Sequence, residues 1–231
     1  MTSTIAEVEI AIQGLKFEWP KSGFRLAIDS LDIPRGKKVA VVGPSGSGKT
    51  TLLNLMAGII SPETGEIRVA GHAVHELSDA ARRRFRVSQI GMVFQQFELV
   101  PYLRAEDNIL LPYLLNSSLR LDSAVRSRAR ELMKATGISD RARSFPAGMS
   151  QGEQQRLALC RALVTEPTLI LADEPTGNLD SANKVRVIDL MMREVDSRRM
   201  TLVMVTHDTS MIDRFDTVFD FSQFTSPGVA P

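Results

Sequence analysis

The chain has 231 residues, 43 % of them apolar and 24 % charged, which is enough apolar material for one compact α/β core and no compositional sign of disorder. A net charge of +1 argues against a nucleic-acid binder, which needs a basic face to neutralise phosphates and release counterions. No stretch approaches the roughly 20 apolar residues needed to cross hydrocarbon, since Ile109 to Leu115 is short and broken by Pro112, and the N-terminus lacks the basic-then-apolar order of a secretory signal.

Residues 5–33 read as extended segments separated by the turn-like Pro20-Lys21-Ser22-Gly23, with the alternation of Phe24, Leu26 and Ile28 supporting a short antiparallel sheet. Lys37 to Val42 is a β-branched run ending at Gly43, and Lys49 to Gly58 has helical spacing at Leu52, Leu55 and Met56. Residues 65–70 and 90–94 read as further strands, while Ser78 caps a basic helix through Val87. From about residue 105 to 165 the pattern turns helical, with one helix opened by Asp122 and closed by Gly137 and another from Gln151 to Val164. Strands return at Thr168 to Ala172 and Thr201 to Thr206, flanking a helix from Ser181 to Ser197, and that alternation calls for a parallel sheet. Ser226 to Pro231 reads as a frayed tail. Cys160 has no partner for an internal disulfide and no metal-type spacing around it, so it reads as a small buried hydrophobe in a reducing compartment.

Two motifs carry chemistry. Gly43-Pro44-Ser45-Gly46-Ser47-Gly48-Lys49-Thr50 satisfies G-x-x-x-x-G-K-[ST] between a predicted strand and a predicted helix. Gly43, Gly46 and Gly48 let the backbone curl with its N–H groups inward, and the helix behind adds its positive end to an anion site. Ser45 and Ser47 lie in that cradle, Lys49 is placed to reach the β- and γ-phosphates, Thr50 offers a hydroxyl to Mg²⁺, and Thr51 adds a phosphate contact. The apolar run from Thr168 ends in Asp173 and Glu174, at the strand end where ligands collect in open α/β sheets. Adjacent acids on a strand alternate in direction, so Asp173 is read as a Mg²⁺ ligand and Glu174 as the group that polarises an attacking water. The fold expected is α/β, a P-loop NTPase (RecA-like) core with a mostly parallel sheet, an N-terminal antiparallel β subdomain and an inserted α-helical subdomain. It forms a single domain over 1–231, with a catalytic core of about 1–94 and 166–231 and helices over about 95–165.

With further motifs in order, the chain resembles the ATP-binding cassette (ABC) family along essentially its whole length. Met149-Ser150-Gln151-Gly152-Glu153 looks like the family signature, usually Leu-Ser-Gly-Gly-Gln, with Met for Leu, Gln151 for the first Gly and Glu153 for Gln. The resemblance implies that Gln95 senses Mg²⁺ and the attacking water, that His207 contacts the γ-phosphate, and that Asp180 sits in a loop crossing to a second subunit. Trp19 matches the aromatic that stacks on adenine, usually Tyr, against the alternative of a core Trp. It also implies a head-to-tail homodimer, each ATP lying between one copy's phosphate loop and the other's signature, coupled to integral membrane permease subunits at the cytoplasmic face of the inner membrane. Leu171 to Asp180 and Gly91 to Pro101 look most like the lipoprotein-release and macrolide-export branch, with the signalling cell-division cassette as the alternative. Gln151 is expected to slow hydrolysis or tie it to a partner.

Arg82, Arg83, Arg84, Arg86, Arg126, Arg128 and Arg130 read as solvated helix faces, with anionic headgroups or an acidic permease edge as the other reading. His72 and His75 sit in an expected surface turn and carry no functional role.

Overall fold

A computed structural model describes residues 7–20, 23–177 and 179–224, apart from the side chain at 181. Lys21 and Ser22 of the expected turn, Asn178 and the C-terminal tail lie outside the described residues. In chain order the elements are β1 (Val8–Glu18), β2 (Arg25–Pro34), β3 (Lys38–Val42), α1 (Lys49–Met56), β4 (Thr64–Val69), β5 (His72–Ala73), α2 (Asp79–Gln89), β6 (Ile90–Val93), α3 (Ala105–Leu115), α4 (Ser123–Ala135), α5 (Gln151–Leu163), β7 (Leu169–Asp173), α6 (Ser181–Arg198), β8 (Thr201–Thr206) and β9 (Thr217–Asp220). The chain divides into two compact units, one of residues 1–83 and 200–231, the other of residues 84–199.

In the first unit, β1 pairs antiparallel with β2 from Val8 opposite Pro34 to Glu18 opposite Arg25, and on its other edge with β4, which in turn carries β5. Ile10, Ile12, Leu15 and Phe17 of β1 and Leu26, Ile28, Leu31 and Ile33 of β2 are buried, the half-buried alternation that the sequence pattern predicts. The same unit holds β3 between β8 and β9, parallel to both, with Lys38 opposite Leu202 and Val39 opposite Thr217. Val39, Ala40, Val41, Leu202 and Val203 are all at most 1 % exposed, as expected of parallel strands covered on both faces. β5 and β9 are additions to the predicted set. Both are too short to show a two-residue period, and all four residues of β9 are partly or wholly in solvent.

In the second unit, β6 and β7 run parallel with Ile90 opposite Leu169, and α3, α4 and α5 pack around Ile109, Leu110, Leu132, Met133, Leu157 and Leu163. The ends of α4 follow the sequence. Asp122 accepts a hydrogen bond from Val125 N at 3.0 Å, and Gly137 takes a left-handed φ of +69° after the last turn. Pro112 lies inside α3 without ending it; it has no N–H to offer the Asn108 carbonyl. Among the described residues no helix is long and apolar enough to cross a membrane.

Two arginines depart from the solvated reading. Arg82, whose side chain is 18 % exposed, bonds Asp79 and Ser61, and Arg128 donates to the Val164 carbonyl at 2.9 Å and pairs with Glu166 at 2.6 Å. Both are drawn in because a guanidinium offers several donors at once; Arg128 uses them on a carbonyl left open where α5 ends. His75 is also anchored, with Nδ1 at 3.1 Å from the Ile67 backbone.

Candidate functional site

The loop after β3 is built as its glycines require. Gly46 and Gly48 adopt φ of +76° and +100°, a left-handed region where a side chain would be strained. Gly43 N donates to Thr206 O at 3.3 Å and Ser47 N to Pro44 O at 3.3 Å, which curls the segment tightly onto the start of α1. Gly48 is the N-cap of α1 and offers no side chain to the first-turn N–H groups, and no acid lies in that turn. Lys49, Thr50 and Thr51 therefore begin a helix whose positive end is unshielded, the arrangement that binds phosphate.

Lys49 is only 4 % exposed, and its ammonium donates to Gly43 O at 2.9 Å and Pro44 O at 2.8 Å. The charge is thus held inside the curl of the loop. Ser47 Oγ is shut off from solvent with no hydrogen-bond partner, the situation of a hydroxyl suited to a ligand oxygen. His207 directly follows β8, next to Thr206, whose carbonyl receives Gly43 N, so the first unit brings this histidine beside the start of the loop.

Trp19 is 41 % exposed, so the core alternative does not hold. Its ring stands edge-on to Phe17 at 5.1 Å, and its indole N–H donates to Thr51 Oγ1 at 3.2 Å, which ties it to the first turn of α1. Sequence reasoning missed Phe24, assigned there only to a strand. Its ring lies against Gly48, where a Cβ would come within 2.1 Å of Cζ.

In the second unit β7 ends at Asp173, and Glu174 follows with φ of +42°, a left-handed conformation that a glutamate adopts at some cost. Gly177 N donates to Glu174 O at 3.0 Å, closing a turn, and the Gln95 amide packs on that turn so closely that a Cβ at Gly177 would lie 3.1 Å from Nε2. Gln95 and the turn opened by Glu174 are thus neighbours, although 79 positions separate 95 from 174 in the sequence. Asp180 caps α6, accepting from Asn183 N at 2.9 Å and from its side-chain amide at 2.6 Å, and these bonds lower its pKa.

The Ser150 to Glu153 segment forms a full capping box at the start of α5. Ser150 Oγ accepts from Glu153 N at 3.3 Å, and Glu153 Oε2 accepts from Ser150 N at 2.7 Å and from Ser150 Oγ at 3.0 Å. Arg141 donates to the other carboxylate oxygen at 2.7 Å. The Ser150 N–H first, and then the Arg141 guanidinium, hold Glu153 at a pKa of about 2. Glu153 is therefore an anion that organises the helix start. Arg141 was not visible in the sequence, because nothing in its local pattern links it to a residue in the next helix. Gln151 is exposed, and Gly152 is buried with Asn183 close by.

The Thr50 hydroxyl and the Asp173 carboxylate are hard oxygen donors of the kind Mg²⁺ takes. Among the described residues no group of three or more His, Cys, Asp or Glu could hold a metal ion. Thr50 and Asp173 each offer an oxygen of the kind that Mg²⁺ takes alongside phosphate and water.

Residues 26–177 match the ABC transporter family. A Mycobacterium tuberculosis protein described as an uncharacterised ABC transporter ATP-binding protein is 45 % identical over 189 residues, covering 82 % of this chain and 75 % of that one. The lipoprotein-releasing system ATP-binding protein LolD of Chromohalobacter salexigens is 41 % identical over 193 residues, covering 84 % and 81 %, and LolD 1 of Rhodopirellula baltica is 37 % identical over 214 residues, covering 91 % and 93 %. Among solved structures, a dimeric bacterial ABC transporter cassette superposes with a TM-score of 0.80 at 30 % identity, covering 92 % of this chain and 94 % of that one. A dimeric cassette in a post-hydrolysis state with ADP and phosphate gives 0.79 at 30 % identity and the same coverage. With its glycine cradle, buried lysine and strand-end acids, this chain belongs to the ABC transporter family as an ATP-hydrolysing cassette.

Proposed function

We propose that this ATPase works as a pair of identical copies that drive an integral membrane permease of the lipoprotein-releasing kind from the cytoplasmic face of the inner membrane. The observation that carries the reading is the loop itself: Lys49, buried and bonded to the Gly43 and Pro44 carbonyls, and the uncapped start of α1 form a cradle for a polyphosphate. The likeness to LolD proteins at about 40 % identity supports the branch, and the dimeric cassettes support the pairing.

In this scheme Gly43, Ser45, Gly46, Ser47, Gly48, Lys49 and Thr51 hold the triphosphate, and Trp19 receives the base. Thr50, Asp173 and Gln95 hold the cation. Mg²⁺ supplies neutralisation of charge on the β- and γ-oxygens when bound. Glu174 takes the proton of the attacking water while His207 steadies the terminal phosphate, and Ser150, Gln151, Gly152 and Glu153 act on the nucleotide of the second copy. Asp180 lies in the segment assigned to contact between copies. Catalysis of this kind is positioning and electrostatics, with no covalent intermediate on the protein.

The test is Glu174→Gln, which removes the base and keeps the shape. ATP turnover should fall by about two orders of magnitude or more, as loss of a general base allows, and with ATP the variant should elute from a sizing column at twice the mass of the free chain. Turnover close to that of the unaltered protein, or a monomer at saturating ATP, would overturn the scheme.

A further inference from the structure

We propose that Phe24 is a second aromatic contact for the nucleotide, seated across a hairpin from Trp19 and touching the base and ribose rather than the phosphates. The inference rests on the nucleotide reading of the loop and adds a residue to it.

Three observations carry it. First, Trp19 N donates to Phe24 O at 3.0 Å, one step beyond the pairing that sets Glu18 opposite Arg25, and Gly23 N also donates to Trp19 O at 3.0 Å. Residues opposed in this way present their side chains on the same face of the ribbon. Second, both side chains reach the same end of α1. Trp19 bonds Thr51, the third residue of the helix, and the Phe24 ring abuts Gly48, the cap, with three ring carbons within 3.1 Å of where a Cβ would stand. The absence of a side chain at Gly48 thus serves two ends, a left-handed φ and room for this ring. Third, neither ring is consumed by the core: Trp19 is 41 % exposed and Phe24 is half-buried. Two partly exposed rings beside a phosphate cradle suit a ligand whose anionic end is followed by a flat, partly apolar group. A nucleoside has that form, and stacking or edge contact with aromatics holds bases without regard to which base it is.

The experiment compares two ligands on the full chain by calorimetric titration, Mg-ATP and inorganic tripolyphosphate, which shares the anionic end and lacks the nucleoside. Phe24→Ala should weaken Mg-ATP binding about tenfold, the range seen when an aromatic contact to a base is removed, and leave tripolyphosphate within about twofold. Phe24→Leu, which keeps bulk against Gly48, should fall between, and thermal melting of both variants identifies any loss of fold. Equal weakening of both ligands would mean that the ring only shapes the loop, and unchanged Mg-ATP affinity would mean that it touches nothing; either overturns the proposal. Lys49→Ala separates this outcome from failure of the nucleotide reading. If it abolishes binding of both ligands while Phe24→Ala is silent, the phosphate loop stands and Phe24 does not; if the unaltered chain binds neither ligand, both readings fall.

Discussion

Replacing Glu153 by Gln isolates the charge in the signature segment from its shape. The amide oxygen of Gln can still accept from Ser150 N, so the capping box survives, but the ion pair with Arg141 is lost. The fall of the Glu153 pKa from 4.5 to about 2 corresponds to at most ~3 kcal/mol. Arg141 is 40 % exposed and Glu153 17 %, so water screens much of that, and we expect a loss nearer ~1 kcal/mol. For a chain of this size the melting temperature should drop by about 2–4 °C at neutral pH. The sign follows from the depressed value: the carboxylate's contribution is complete above its ordinary pKa and is lost as pH falls from about 4.5 toward 2. Calorimetric melts of both proteins from pH 8 to 3.5 should show a constant gap down to about pH 5 and a narrowing gap below. Adding Arg141→Met to Glu153→Gln should then cost little more. A variant as stable as the parent at pH 7.5, or a gap indifferent to acid, would show that the pair contributes nothing.

Two further outcomes are expected. Cys160 is fully buried and its thiol is pushed up to about 12 by desolvation, so a maleimide should label the native chain negligibly at pH 8 and label it stoichiometrically in denaturant; rapid native labelling would contradict the burial. Gln151→Gly should raise ATP turnover several-fold at the expense of about 0.5–1 kcal/mol in α5, and steady-state kinetics showing unchanged turnover would remove any brake at Gln151.

The phosphate loop was legible because its chemistry is local. Glycines, lysine and threonine lie within eight consecutive positions from 43 to 50, and the flanking strand and helix announce themselves by period. The long elements were legible for the same reason, and Asp122 and Gly137 mark the ends of α4 by chemistry that needs no tertiary partner. What the sequence hid depends on distant backbone. Phe24 alternates like any strand residue, and only the hairpin pairing brings it to Gly48. Arg141 and Glu153 are twelve positions apart across a loop, and Arg128 and Val164 thirty-six, distances at which charge patterns say nothing about partners. Short β9 needed β3 beside it before it could be a strand at all.

The hydroxyl of Ser150 has a single proton, and in this fold it points to the Glu153 carboxylate. Under the scheme proposed above, a phosphate oxygen arriving at that serine would take the proton that Glu153 now accepts. Recognition at this helix start would then be an exchange of acceptors, its strength set by the difference between two negatively charged rivals for one proton.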